Sequence, residues 1–313
     1  MIVTRDTLEA SLATVRAGAR DPRVGILGPG TVAWQIGGDL GLFLGGGRAA
    51  LLQLAHPMVA HAIDQHSRTR DDVVGRFRRT FRHVFAMLFG ELDDALAAAR
   101  RVHTIHMRIH GTLPTAVGGY AAGTPYHAND VGALRWVHAT LVDTALLVRE
   151  RLDGPVSLTV KDRYVVELNR FAMLFGIPAT LLPDGFLAHA SYMSDMLAGD
   201  RIAVAPCARE MARFLIGRGG ATKQPVLGRI TEAITHALLP AHLATQFELR
   251  GAPVATQVGL AAFATMYRRL PRVVTVLPAH SAARRRLAGH APSRLAAWTE
   301  RRLFGLAHRA TGT

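Results

Sequence analysis

Residues Gly45–Ser67 read GGGRAALLQLAHPMVAHAIDQHS, and the spacing within this stretch decides the fold class. Leu51, Leu52, Ala55, Val59 and Ala62 recur at helical intervals and make one apolar stripe. Pro57 has no amide to donate, so it marks a kink or a new helix start just after His56. The triple glycine Gly45–Gly47 either lets a helix backbone approach something flat or acts as a hinge. Three more segments carry the same 3.6-residue period: GRFRRTFRHVFAMLFG (Gly75–Gly90), ARRVHTIHMRIHG (Ala99–Gly111) and LRWVHATLVDTALLVRE (Leu134–Glu150). Alternating strand patterns are almost absent along the chain.

Outward from this region, Leu8, Leu12, Val15 and Ala19 put an amphipathic helix in residues 1–24. Gly25–Asp39, GILGPGTVAWQIGGD, has neither GxGxxG nor a GK[ST] ending and reads as a turn leading into a helix. Asp71 or Asp72 is the expected N-cap of the next helix, which Gly90 closes. A helix is expected over Asp93–His110 and a loop long enough to act as a lid over Thr112–His127. Asn129 or Asp130 then caps the helix that holds His138. Further helices are expected at Val160–Phe175, Leu187–Leu197, Ala208–Leu215, Leu227–Thr235, Pro240–Phe247 and Val254–Arg269, and a basic one at Pro292–His308. The expectation is an all-α protein, one large domain of about ten helices.

The chain has 313 residues, 49% of them hydrophobic and 19% charged, which is enough to build a substantial core. Lys plus Arg exceeds Asp plus Glu by 37 − 23 = 14. The arginines are scattered through helices, with a denser group at Arg268–Arg302, and no nucleic-acid-binding motif accompanies them. Nucleic acid is therefore not an expected partner; peripheral membrane contact stays open. The single cysteine, Cys207, rules out an intramolecular disulfide and a cysteine-based zinc site, and agrees with a reducing cytoplasm. The N-terminus lacks the apolar core of a secretory signal, and Leu40–Ile63 is too interrupted to read as a membrane span.

Nine of the fifteen histidines lie between Gly45 and Asp143. His103, His106 and His110 stand one turn apart, which suits metal ligation, yet neither HExxH nor Glu-x-x-His accompanies them. A single axial haem histidine competes with purely structural histidines there. Arg76, Arg79, Thr80 and His83 share one helix face, able to hold an anion or a bound oxygen, or simply to face solvent. His138 lies among apolar residues, either orienting a ligand or satisfied in the core, and Asp143 is too far round the helix to be its simple partner. No nucleophile motif appears, and Cys207 reads as an inert thiol.

These blocks, with Tyr126–Asp130, LFGIPATLLP (Leu174–Pro183) and YRRLPRVVTVLPAHSAARRRL (Tyr267–Leu287), resemble the oxygenase catalytic domain shared by latex-clearing proteins (rubber oxygenases) and the ER-bound oxygenase of mycophenolic acid biosynthesis. The resemblance covers residues 25–290, leaving 1–24 as an N-terminal helix and linker and 291–313 as a basic C-terminal helix. It implies a helical fold distantly like the globins, haem b with its iron, dioxygen as co-substrate and a hydrophobic, isoprenoid or lipid-like substrate. In latex-clearing proteins the axial histidine follows an Arg-x-x-Lys-Thr motif by about one helix, and a second histidine follows later. Arg76-x-x-Arg79-Thr80 matches that motif with arginine for lysine. His106 then falls at the axial position, with His110 as the alternative if the register slips a turn, and His138 falls at the second. The resemblance thus implies Arg79 and Thr80 as catalytic residues and Arg76, His106 and His138 as cofactor-binding ones. Arg79 cannot be assumed to cover a haem as the lysine does. The glutamate used by rubber oxygenases has no counterpart, since the corresponding region offers Asp64, Gln65 and His66. The alternative is a helical haem- or lipid-binding protein without turnover, and beyond it a metal-free scaffold.

Overall fold

The computed structural model describes residues 1–66, 73–216, 225–251 and 253–291. The fold is all-α, as expected, with a single short two-stranded ribbon among the described residues. The helices number fifteen there rather than about ten, because Pro57 starts a new helix and short helices such as Val32–Gly37 and Arg272–Thr275 add to the count.

One helix organises the others. α7 (Val131–Asp153) is capped by Asp130, whose carboxylate accepts the Ala133 amide hydrogen at 3.0 Å. Its residues enter three apolar clusters. Val131, Leu134, Val142 and Leu146 pack with α1 (Arg5–Ala17), α2 (Val32–Gly37), α5 (Val73–Phe89), α6 (Leu92–His106) and α8 (Leu158–Met173). Trp136 and Ala139 pack with α3 (Gly46–Leu54), α4 (Pro57–His66), α9 (Phe186–Ala198), α10 (Pro206–Leu215) and α12 (Ala241–Gln246). Val148 and Leu152 pack against α13 (Pro253–Tyr267). The Trp136 indole, fully buried, donates to the Leu52 carbonyl at 2.9 Å and so satisfies its one polar atom. By length and composition α7 could cross a membrane, but 67% of its most apolar window is buried inside the protein, the condition of a core helix.

Helix starts follow local chemistry. Thr4, Thr31 and Ser157 cap α1, α2 and α8 with their hydroxyls. Pro57 opens α4, so the break after His56 is a new helix and not a kink. Pro206 opens α10, and Pro278 opens α15 (Pro278–Leu287), which follows the short α14 (Arg272–Thr275). The glycine run at 45–47 serves close helix packing. A side chain at Gly45 would collide with Thr144 and Val148 of α7, and one at Gly47 with Thr235 of α11 (Pro225–Leu238). Side chains of neighbouring helices fill that approach.

Two expectations need correction. α6 ends at His106, four residues before His110, and His110 lies instead on β1 (His110–Thr112). β1 pairs antiparallel with β2 (Pro125–His127), so the expected loop is framed by a ribbon in which Gly111 faces Tyr126. Three-residue strands are too short for alternation to show in a sequence. The expected caps at Asp71 or Asp72 and the expected helix Pro292–His308 lie outside the described residues.

Gly25 sits at φ +81°, and a Cβ there would drive into the Gly90 carbonyl. Gly25→Ala therefore lowers stability by about 1–3 kcal/mol, while Gly30→Ala, with open space around it, stays within about 0.5 kcal/mol of the parent. Urea denaturation of the two variants checks this; equal effects would contradict it.

Candidate functional site

α5 and α6 join at Gly90–Glu91 and run back along each other, so the start of α5 and the end of α6 share one end of the hairpin. His83 on α5 feels the charge of Arg101 on α6, as this alignment requires. Arg76 thus lies at the end of the pair that holds His106, while Arg79 and Thr80 stand near the middle of α5. Arg79 and Thr80 are exposed; the side chain of Arg76 lies outside the described residues.

The histidines at the end of α6 have different fates. His103 is buried, and its Nε2 meets the Val3 carbonyl at 2.9 Å, so it is satisfied by backbone. His106 is half-buried, and its Nδ1 is enclosed without a hydrogen-bond partner. Burial pushes its pKa down to about 4, against a hydrogen bond with the Asn129 side chain that pulls it the other way. His110 is exposed and stacks on His127 across the ribbon with ring centroids 6.0 Å apart. The single helix face expected for all three does not exist, because the helix stops first.

The ribbon is fastened to α4. The Tyr126 hydroxyl donates to Gln65 Oε1 at 2.6 Å and lies 3.1 Å from His66 Nε2. Beside it, Cys207 Sγ lies 3.7 Å from both ring nitrogens of the buried His61. Burial and the negative charge of Asp64 push the thiol up to about 11, so it stays protonated and unreactive. His56, where α3 gives way to α4, faces the Tyr120 hydroxyl at 3.4 Å through Nε2, while its buried Nδ1 has no partner.

His138 is buried on α7 against Phe171, with Nδ1 unpartnered. Burial, then the neighbouring His189, pushes its pKa down to about 3. Asp143 turns away from it. Its Oδ2 accepts from Arg48 Nη2 at 2.6 Å, and its Oδ1 lies 3.9 Å from His189 Nε2. The buried Arg48 also donates to Thr144 Oγ1 at 2.6 Å and to the Leu238 carbonyl at 2.8 Å. Sequence reasoning missed this node. Arg48 appears in the sequence only as an interruption of an apolar stretch, and that interruption was the available signal.

Among the described residues no three of His, Cys, Asp and Glu converge as a shell for a metal ion. Two clefts stand out, of about 300 and 360 Å³. The smaller is lined by Arg100, Arg101, Thr104 and Ile105 on α6 and by Arg108 just beyond it, and the larger lies between α2 and the end of α7. Neither is lined by His106 or His138.

The family model described as "ER-bound oxygenase mpaB/B'/Rubber oxygenase, catalytic domain" matches residues 34–275. No curated protein and no solved structure matches the chain.

Two predictions follow from the buried groups. His56, His106, His138 and His280 all have pKa values depressed to between about 3 and 4 by burial. The unfolded chain binds more protons than the folded one below the ordinary histidine value of 6.5. Stability contributed by these rings is therefore full above pH 6.5 and lost as pH falls toward 4. Tm measured across that window falls, and His138→Phe shallows the fall; an unchanged slope would count against burial as the cause. Asp143→Ala, which strips an acceptor from a buried guanidinium, costs about 3 kcal/mol in chemical denaturation. Arg48→Met removes the charge and leaves Asp143 partly open to water, so it costs less; the opposite order would contradict the assignment.

Proposed function

The chain belongs to the mpaB/rubber oxygenase catalytic-domain family, and from that premise we propose that it uses haem b and dioxygen to oxidise a hydrophobic, isoprenoid or lipid-like substrate. The observation that carries the haem reading is the unpartnered, buried Nδ1 of His106, on a ring that burial keeps neutral down to about pH 4. A protein ligand to the iron needs a neutral imidazole with an available ring nitrogen, and the porphyrin would supply the other nitrogens, so one such histidine would suffice. The donor chemistry fits. His110, exposed and stacked on His127, is the weaker alternative.

His106 is the residue that would hold the iron. When bound, haem supplies the metal at which dioxygen is activated. Arg79 and Thr80, exposed on the middle of α5, would donate hydrogen bonds to dioxygen or to a carboxylate of the cofactor. Arg76 would add positive charge there. His138, neutral and buried on α7, would orient the cofactor edge or a ligand without carrying charge into the core. The apolar packing around α7 would keep water from the reacting centre.

A second reading, a haem- or lipid-binding protein without turnover, draws on the exposure of Arg79 and Thr80. Dioxygen uptake with isoprenoid or unsaturated-lipid substrates separates the two. For the cofactor itself, His106→Ala is expected to lose hemin retained through gel filtration, while His110→Ala retains it. Retention unaltered in His106→Ala would remove this residue from the site.

A further inference from the structure

α13 is apolar on both sides, yet only one side is covered. Thr256, Leu260, Phe263, Ala264 and Tyr267 follow one another at i, i+4, i+7, i+8 and i+11 and make the inward stripe against α7 and its neighbours. The outward stripe holds Val254, 77% exposed, and Val258, 65% exposed, followed by Ala261, Ala262 and the exposed Met266. α14, next in the chain, exposes Val273 at 84% and Val274 beside it. α11, which packs on α13, also exposes Val226, Leu227 and Ile230. Large apolar side chains exposed in this number on neighbouring elements of a folded chain mark a contact site.

Its charge says what the contact is. From Leu249 to Thr299 the sequence contains no Asp or Glu, but eight arginines. Arg268, Arg269 and Arg272 stand exposed where α13 passes into α14. The one carboxylate of α11, Glu232, is buried and accepts the Arg250 amide hydrogen at 2.6 Å, so it does not offset them. A second copy of the chain placed symmetrically on this face would set one arginine rim against another. The chain's own residues 292–313 carry Arg294, Arg301, Arg302 and Arg309 against a single acid, Glu300, and have the same sign. Nucleic acid would answer the arginines and leave the valines in water.

We propose that the α13–α14 face docks on the surface of a membrane containing anionic phospholipids. The valines and Met266 enter the interface while the arginines meet lipid phosphates. α13, at fifteen residues, is about 22 Å long at 1.5 Å per residue. That is short of a hydrocarbon core of about 30 Å, so the helix lies on the bilayer and does not cross it. The docking is independent of the haem assignment.

The test is co-sedimentation of the full chain with phosphatidylcholine vesicles, with and without phosphatidylserine, at low and high salt. Binding is expected to the phosphatidylserine vesicles and to weaken as salt rises. A Val258→Asp/Met266→Asp double variant, checked by circular dichroism for an unchanged fold, should lose about tenfold or more in affinity. Arg269→Glu/Arg272→Glu should lose about tenfold on phosphatidylserine vesicles alone. The proposal is overturned if the chain sediments with neither vesicle or if both double variants bind like the parent. It is equally overturned if Val258→Asp/Met266→Asp abolishes a self-association while vesicle binding is absent.

Discussion

A buried guanidinium holds the structure's centre. Arg48, only 5% exposed, would carry an uncompensated charge into the interior were each of its three nitrogens not bonded. They reach Asp143 and Thr144 on α7 and the Leu238 carbonyl at the end of α11. The reach requires α3 to lie unusually close to both helices, and the glycines at 45 and 47 allow it where side chains would strike Thr144, Val148 and Thr235. Packing and electrostatics thus impose the same condition on three helices. A buried ion pair is a weak source of net stability, but it is an exacting one geometrically, since any other arrangement leaves a charge unpaired.

That arrangement also shapes the chemistry of α7. Asp143 is engaged by Arg48, and burial beside His189 keeps His138 neutral among Phe171 and the apolar clusters. His106 reaches the same condition in the same way, through burial at the end of α6. Neutral imidazoles with an unpartnered ring nitrogen are what a metal-ligating or orienting role needs, whereas His103, bonded to the Val3 carbonyl, is already spent on structure.

Much of the fold was legible in the residues. The stripe through Leu51, Leu52 and Ala55, the break at Pro57 and the cap at Asp130 each state a local rule that tertiary contacts do not override. The end of α6 was not legible, because His103, His106 and His110 keep helical spacing past the point where the chain turns into the ribbon. That turn is held from outside, by Tyr126 bonding to Gln65 and lying beside His66, a contact between distant residues that no local pattern records. The family was legible from ordered motif blocks, and the matched span of residues 34–275 agrees with it. The Arg48 node was not, since an arginine in an apolar helix looks the same whether it is buried with partners or directed to solvent. His189, its more distant neighbour, lies 141 residues further on and shares no local pattern with it.

The central claim is that a neutral histidine at the end of α6 receives a haem. The most direct measurement is a visible spectrum of the purified full chain before and after titration with hemin, paired with elemental iron. The account predicts a Soret band that saturates at one hemin, and one iron, per chain. A spectrum of free hemin only, with no saturation and no iron carried through purification, would contradict it.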